Sequence, residues 1–110
     1  MVIHLSNKKC IACEAGTAPL RDVEIAVFMP QVHQWEVGND EKSISKQFQF
    51  KNFTEALAFV DKVGALAEEE RHHPDISLFG YRNVRITLTT FAIGGLSEND
   101  FILAAKIDRL

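Results

Sequence analysis

The sequence lacks several features that would place it in a specialised class of protein. Its 110 residues carry a formal net charge of -3, and the 12 Lys and Arg residues form no basic block. An electrostatic surface for nucleic acid is therefore not expected. The longest uncharged stretches, residues 25–35 and 86–97, are shorter than the roughly 20 apolar residues that a membrane helix needs. We expect neither a nucleic-acid partner nor a membrane span.

Targeting signals and repeats are also missing. The first nine residues do not show the basic-then-apolar order of a signal peptide, so a cytoplasmic location is expected. The hydrophobic share of 46% and the charged share of 25% are ordinary for a globular protein. A chain of this length can bury one hydrophobic core without disulfides or metal.

Cysteine is scarce, and the two cysteines, Cys10 and Cys13, form a C-x-x-C pair. A structural zinc site usually has four ligands, so this pair is half a site unless His4 or a second chain contributes. A redox function would place the pair beside a βαβ unit, and none follows. We favour a surface element without chemistry, and a metal shared across a dimer is the alternative.

Apolar periodicity predicts the elements of the first half. Residues 1–16 are expected to form an irregular arm and residues 17–110 the domain. Thr17-Ala18-Pro19 is a helix-start signal, and Pro30 ends the helix. The apolar stripe of this helix is predicted to be Leu20, Val23, Val27 and Phe28. A short strand around Trp35 and Val37, and a strand with Ile44, Phe48 and Phe50 on one face, are expected next.

The second half begins with a strong helix signal. Asn52 followed by Glu55 is typical of a helix N-terminus, and Pro74 predicts an end near His72. The predicted apolar stripe is Phe53, Ala56, Leu57, Val60, Val63, Leu66 and Ala67. A short strand with Ile76 and Leu78 and a clear strand with Val84, Ile86 and Leu88 should follow. Ser97 and Asp100 predict the start of a final helix.

The resulting order is α-β-β-α-β-β-α. Two hairpins separated by a helix favour an α+β fold, in which three helices pack on one face of a four-stranded antiparallel sheet. An exposed edge strand of such a sheet is available for self-association.

Candidate functional residues cluster in two stretches. His72-His73-Pro74-Asp75 follows the acidic run at residues 68–70, and the ordinary pKa of histidine suits proton transfer near neutrality. The second stretch runs from Phe91 through Gly94-Gly95 to Phe101. Simpler interpretations are a polar helix end at the histidines, a solvated face at the acidic run, a turn at the glycines and a packing role for Phe91. Phe48, Phe50 and Phe53 are predicted core residues.

These motifs resemble the pterin-4a-carbinolamine dehydratase family, which also includes dimerisation cofactors of a homeodomain transcription factor. The motifs that carry the resemblance are Trp35-Glu36-Val37, Phe48-x-Phe50-x-x-Phe53, His72-His73-Pro74 with Tyr81, Val84-x-Ile86-x-Leu88-x-Thr90, Gly94-Gly95-Leu96-Ser97-x-x-Asp100 and Leu103-Ala104-Ala105-x-Ile107-Asp108. They span most of the chain, and the fold expected from periodicity agrees with that of the family.

The resemblance implies a dehydration that needs no cofactor. A reduced pterin with a hydroxyl at its 4a carbon loses water, so one group accepts a ring-nitrogen proton while another protonates the departing hydroxyl. His72 and His73 would line the pocket, with His73 as the main acid/base and Glu68 orienting the pair. Pro74, Asp75 and Thr90 would complete the pocket.

Position 91 departs from the family pattern. Active members have a third histidine directly after a strand that ends in Thr, where this chain has Thr90-Phe91. A phenylalanine transfers no proton, and the loss of one acid/base group typically lowers a rate by about 10²- to 10⁴-fold. The resemblance therefore implies two vestigial catalytic histidines and weak or absent dehydratase activity.

Two function classes follow. The substitution at Phe91 favours an interaction protein that resembles the carboxysome-associated branch of the family, a homodimer that assists Rubisco assembly as a chaperone and binds pterin only weakly. The alternative is an active 4a-hydroxytetrahydrobiopterin dehydratase in pterin recycling. A transcriptional dimerisation cofactor is a third option, for which the sequence offers no distinctive feature.

Overall fold

The structure, a computed structural model, describes residues 4–11 and 16–110. The helices are α1 (Asp22–Phe28), α2 (Phe53–Glu70) and α3 (Glu98–Ile107), and the strands are β1 (Glu36–Val37), β2 (Ile44–Gln49), β3 (Asp75–Phe79) and β4 (Asn83–Leu88). Short 3-10 helices cover Leu5–Asn7, Met29–Gln31 and Phe91–Ile93. The predicted α-β-β-α-β-β-α order is confirmed. Across the described residues, no helix is both long and apolar enough to cross a membrane.

The four strands form one antiparallel sheet in the order β1-β2-β4-β3. Its inner face is apolar: Ile44 is paired with Leu88, and both are completely buried. Its outer face is polar: Gln47 is paired with Arg85, and both are exposed. Since only one face is apolar, all three helices pack on that face, as predicted.

The core lies between the inner face and the helices. Phe101 of α3 is completely buried and its ring stacks on Phe28, with 5.3 Å between the centroids. Phe59 of α2 contacts both Phe48 and Phe50, at centroid distances of 4.7 and 4.9 Å. These aromatic contacts join α1 to α3 and α2 to β2.

Helix α1 differs from its prediction in both its start and its buried face. It begins at Asp22, because Leu20 N–H donates to Leu96 O (2.8 Å) and the Glu24 carboxylate accepts a hydrogen bond from Arg21 N–H (3.0 Å). Ile25 is buried, whereas Val23 and Val27 are 58% and 68% exposed. In a seven-residue helix with apolar residues on several sides, periodicity alone does not select the inner face.

Helix α2 begins as predicted, because the Asn52 side chain accepts a hydrogen bond from Glu55 N–H (2.9 Å). Its buried face is Ala56, Phe59, Val63 and Ala67. The prediction of Phe53 as a core residue was wrong, since its side chain is 49% exposed, and Leu57 of the predicted stripe is 44% exposed. The large ring of Phe59, which the predicted stripe omitted, fills the space against β2 instead.

Candidate functional site

The two adjacent histidines follow directly after the end of α2. The helix ends at Glu70, two residues before the predicted end, because Arg71 adopts a left-handed conformation with φ of 56°. His72 N–H then donates to Ala67 O (3.2 Å), which satisfies a carbonyl of the last turn. Pro74 follows, and β3 begins at Asp75. The histidines therefore lie in a short connection that is fixed at both ends.

His72 forms a hydrogen bond with an acid of α3. Its Nε2 lies 2.6 Å from Asp100 Oδ1, the Asp100 side chain is completely buried, and the His72 side chain is 11% exposed. Asp100 Oδ2 accepts hydrogen bonds from Thr90 Oγ1 (2.8 Å) and from Ser97 N–H (2.9 Å). A carboxylate only accepts hydrogen bonds, so His72 donates through Nε2–H. The nitrogen of His72 that remains able to accept a proton is Nδ1.

His73 is paired with a different carboxylate. Its Nε2 contacts Glu68 Oε2, but both side chains are exposed, at 64% and 78%. Solvent screens such a pair, so Glu68 holds His73 far less firmly than Asp100 holds His72. The two histidines thus differ in environment: His72 is mostly enclosed and fixed, and His73 is accessible.

A cavity of about 370 Å³ lies beside this pair. The residues that line it include His72, His73, Thr90, Phe91, Asn99 and Ile11. Of the remaining predicted pocket residues, Glu68 reaches the site only through His73, and Asp75 is an exposed residue of β3. Pro74 is half-buried and is not among the described residues that line the cavity.

Phe91 is not a packing residue. Its side chain is 87% exposed at the border of the cavity, so the interpretation that gave it a packing role is wrong. The physical reason is that β4 ends at Leu88 and Phe91 starts a 3-10 turn. The chain therefore places an apolar ring next to two histidines, in contact with solvent.

The turn after Phe91 is shaped by two glycines. Gly94 has φ of 70°, a conformation that side chains resist, and Gly95 pairs with Thr90 in an isolated antiparallel bridge. A Cβ on Gly95 would lie 2.7 Å from the Cβ of Pro19, so no side chain fits there. This turn brings Thr90 and Ser97 together, with their hydroxyls 2.8 Å apart, and directs both toward Asp100.

Two site residues were missed or only partly understood from the sequence. Asp100 was assigned to the start of α3 and to a family motif, but its contact with His72 was not predicted. Asn99 was not singled out: its Oδ1 accepts from Ile11 N–H (2.9 Å), and its Nδ2 donates to Ile11 O. No sequence pattern signals a contact between residues 88 positions apart.

A second buried acid lies beneath the site. Glu70, expected on a solvated face, is only 5% exposed and accepts hydrogen bonds from Cys10 N–H and Lys106 Nζ, both at 2.9 Å. Burial alone would raise the pKa of Glu70, but these donors outweigh it and lower the pKa. Burial, reinforced by the Glu70 charge, raises the pKa of the Cys10 thiol to about 12. Cys10 therefore lacks the thiolate that redox chemistry needs.

Metal binding has no support among the described residues, which contain no group of three or more His, Cys, Asp or Glu side chains able to hold an ion. Cys10 is a free cysteine. Cys13 lies outside the described residues, so a metal bound by Cys10 and Cys13 and shared across a dimer stays a hypothesis.

The geometry defines a class of site: a small cavity with one mostly enclosed histidine held by a carboxylate and one accessible histidine. Such a site is suited to general acid–base chemistry. The family model of pterin 4 alpha carbinolamine dehydratase matches residues 18–110. The chain belongs to this family.

Similar proteins agree with that assignment. A relative from Alkaliphilus metalliredigens, named "Putative pterin-4-alpha-carbinolamine dehydratase", is 49% identical over 96% of this chain and 95% of its own length. A relative of the same name from Rubrobacter xylanophilus is 48% identical over 97% and 98%.

Two solved structures are also similar. A transcriptional coactivator/pterin dehydratase from Brucella melitensis superposes with a TM-score of 0.77 at 27% identity, covering 83% of this chain and 96% of that one. A pterin dehydratase-like protein identified as a RuBisCO assembly factor in the alpha-carboxysome gives a TM-score of 0.59 at 32% identity, covering 70% and 88%.

Proposed function

We propose that this chain is a dehydratase of pterin 4a-carbinolamines whose rate is limited by Phe91. The observation that carries the proposal is the 2.6 Å pair between His72 Nε2 and the buried Asp100, beside a cavity that also contains His73. Asp100 also closes the first turn of α3, so the feature that favours chemistry is the use of its second oxygen, Oδ1, to orient the imidazole of His72 at the cavity. This geometry therefore favours chemistry over the assembly role expected from the sequence.

The reaction breaks one N–H bond and one C–O bond of the substrate and releases water. His72, whose Nε2–H is engaged by Asp100, accepts the ring-nitrogen proton at Nδ1. As that proton leaves, the negative charge of Asp100 stabilises the imidazolium that forms. His73, accessible to solvent, donates a proton to the departing hydroxyl in its protonated form. Water then returns both histidines to their starting states.

Phe91 determines how efficient this reaction is. A phenyl ring at the border of the cavity neither gives nor accepts a proton. Only His73 is then left to protonate the departing hydroxyl, whereas active relatives have a further histidine at this position. The loss of one proton-transfer group corresponds to about 10²- to 10⁴-fold in rate. We therefore expect slow but measurable dehydration.

The test is a gain of function. Phe91→His should raise kcat for dehydration of a 4a-hydroxytetrahydropterin at least tenfold, because the exposed position accommodates the ring without disturbing the core. The matched control Phe91→Ala should give no gain, and His72→Ala should remove the activity of both backgrounds. A folded Phe91→His variant that is as inactive as His72→Ala would refute the proposal.

The second candidate is an assembly factor for RuBisCO, acting in a carboxysome. It is supported by the 32% identity to the protein with that role and by the exposed ring of Phe91, which could contact a protein client. Co-expression with the large and small subunits should then raise the yield of assembled enzyme, and Phe91→Glu should reduce that gain. An unchanged yield would exclude this function.

Either function is proposed for a cytoplasmic homodimer. In the described sheet, β1 and β3 are edge strands that each pair with one neighbour only. Their outer backbone groups can accept a strand from a second copy, and closed two-fold dimers are the commonest homo-oligomers.

A further inference from the structure

The segment before the matched domain is bound to the two helix ends that flank the His72–Asp100 pair. Lys8 Nζ lies 2.8 Å from Glu98 Oε2, at the first residue of α3. Cys10 N–H donates to Glu70 Oε1 (2.9 Å), at the last residue of α2. Residues 8–11 therefore connect the end of α2 to the start of α3, directly beside the cavity.

The side-chain amide of Asn99 holds Ile11 at the cavity through two hydrogen bonds to its backbone. Asn99 accepts from Ile11 N–H and donates to Ile11 O, so the main chain of residue 11 is fixed on both sides. Its side chain is left 73% exposed and lines the cavity. Because its backbone is already fixed, this exposed apolar side chain can contact a ligand at a low cost in conformational entropy.

Phe91 is a second exposed apolar residue at this cavity. It is 87% exposed and lines the same cavity, so two exposed apolar side chains border the two histidines. A reduced pteridine has flat apolar faces and a polar edge. Apolar side chains can cover the faces while histidines engage the edge, which is how small-molecule sites usually divide their contacts.

We infer that Ile11, outside the 18–110 segment matched by the family model, is a ligand-binding residue of this site and packs with Phe91 against the face of a reduced pteridine ring. The inference rests on the proposed function, because it takes its ligand class from the dehydration. It assigns a binding role to Ile11, in a segment for which the sequence indicated only an irregular arm.

The test is a titration with 7,8-dihydrobiopterin, a stable reduced pterin, in which binding is measured by calorimetry. Ile11→Ala removes the apolar contact and should raise the dissociation constant about fivefold. Ile11→Phe keeps an apolar surface and should bind within about twofold of the wild type. The control Val27→Ala alters an equally apolar side chain that is 68% exposed on α1, and it should not change affinity.

The outcomes separate the two proposals. Binding by the wild type that is unchanged in Ile11→Ala would overturn the role of Ile11 and leave the dehydratase intact. No binding by the wild type at millimolar ligand would overturn the proposed function and this inference together. Melting temperatures of the three variants should match the wild type within about 2 °C, since surface substitutions change stability little, so a loss of affinity would not reflect unfolding.

Discussion

Replacing Asp100 with Asn tests the central pair of the site with minimal change in shape. The carboxylate is completely buried and accepts from His72, Thr90 and Ser97. An asparagine has one accepting atom and one donating atom in the same space. If its oxygen keeps Thr90 and Ser97, its NH₂ group faces His72 Nε2, and the imidazole must move its proton to Nδ1 to accept that bond.

The size of both effects follows from this geometry. A hydrogen bond to a charged group contributes about 1.5–3 kcal/mol, and the Asp100→Asn variant would replace the bond with His72 by a weaker, neutral one and weaken two others. We expect the free energy of unfolding to fall by about 3 kcal/mol, equivalent to roughly 10–20 °C in melting temperature for a domain of this size. The same tautomer change removes the accepting nitrogen of His72, so kcat should fall by about 10²- to 10⁴-fold.

Urea unfolding and steady-state kinetics measure the two effects separately. The kinetics are best done in the Phe91→His background, where the starting rate is highest. Asp75→Asn is the matched control: this carboxylate is exposed on β3, and its removal should change stability by less than about 0.5 kcal/mol. An Asp100→Asn variant that keeps both its stability and its rate would refute the tautomer argument.

Two further predictions concern the buried acid and the oligomer. The pKa of Glu70 is lowered in the folded state, so its contribution to stability is present above the ordinary value of 4.5 and is lost as pH falls through the folded-state pKa. Urea unfolding should therefore show Glu70→Gln as less stable than wild type at pH 7, with a smaller difference at acidic pH, and a difference that stays constant with pH would contradict the assignment. Light scattering at micromolar concentration should give the mass of a dimer, and a monomer mass would exclude pairing through the sheet edges.

The sheet and the two longer helices were predictable because each has an unambiguous local signal. Alternation in β2 and β4 fixes which residues point inward, and Asn52 marks the first turn of α2 through a contact only three residues away. Helix α1 lacked such a signal. Its apolar residues lie on several sides, and tertiary packing of Phe28 on Phe101 selected the buried face.

The candidate site was predictable only where it is local in sequence. His72 and His73 are visible as a pair, and the family motif pointed to position 91. The exposure of Phe91 was not predictable, because it depends on where β4 ends and the 3-10 turn begins. The contact of Asn99 with Ile11 and the burial of Glu70 both involve residues far apart in the chain, and no periodicity encodes such a distance.

The position of Asp100 in the first turn of α3 has a consequence for how sequences of this type are compared. One oxygen of the Asp100 carboxylate, Oδ2, accepts a hydrogen bond from Ser97 N–H at the start of α3. The other oxygen, Oδ1, accepts a hydrogen bond from His72 Nε2–H. A descendant that abandoned the chemistry would still need that acid to begin its last helix. The presence of this aspartate therefore indicates a folding requirement and does not indicate activity. The residues at positions 72, 73 and 91 are the ones that distinguish an active enzyme from a member with reduced or lost activity.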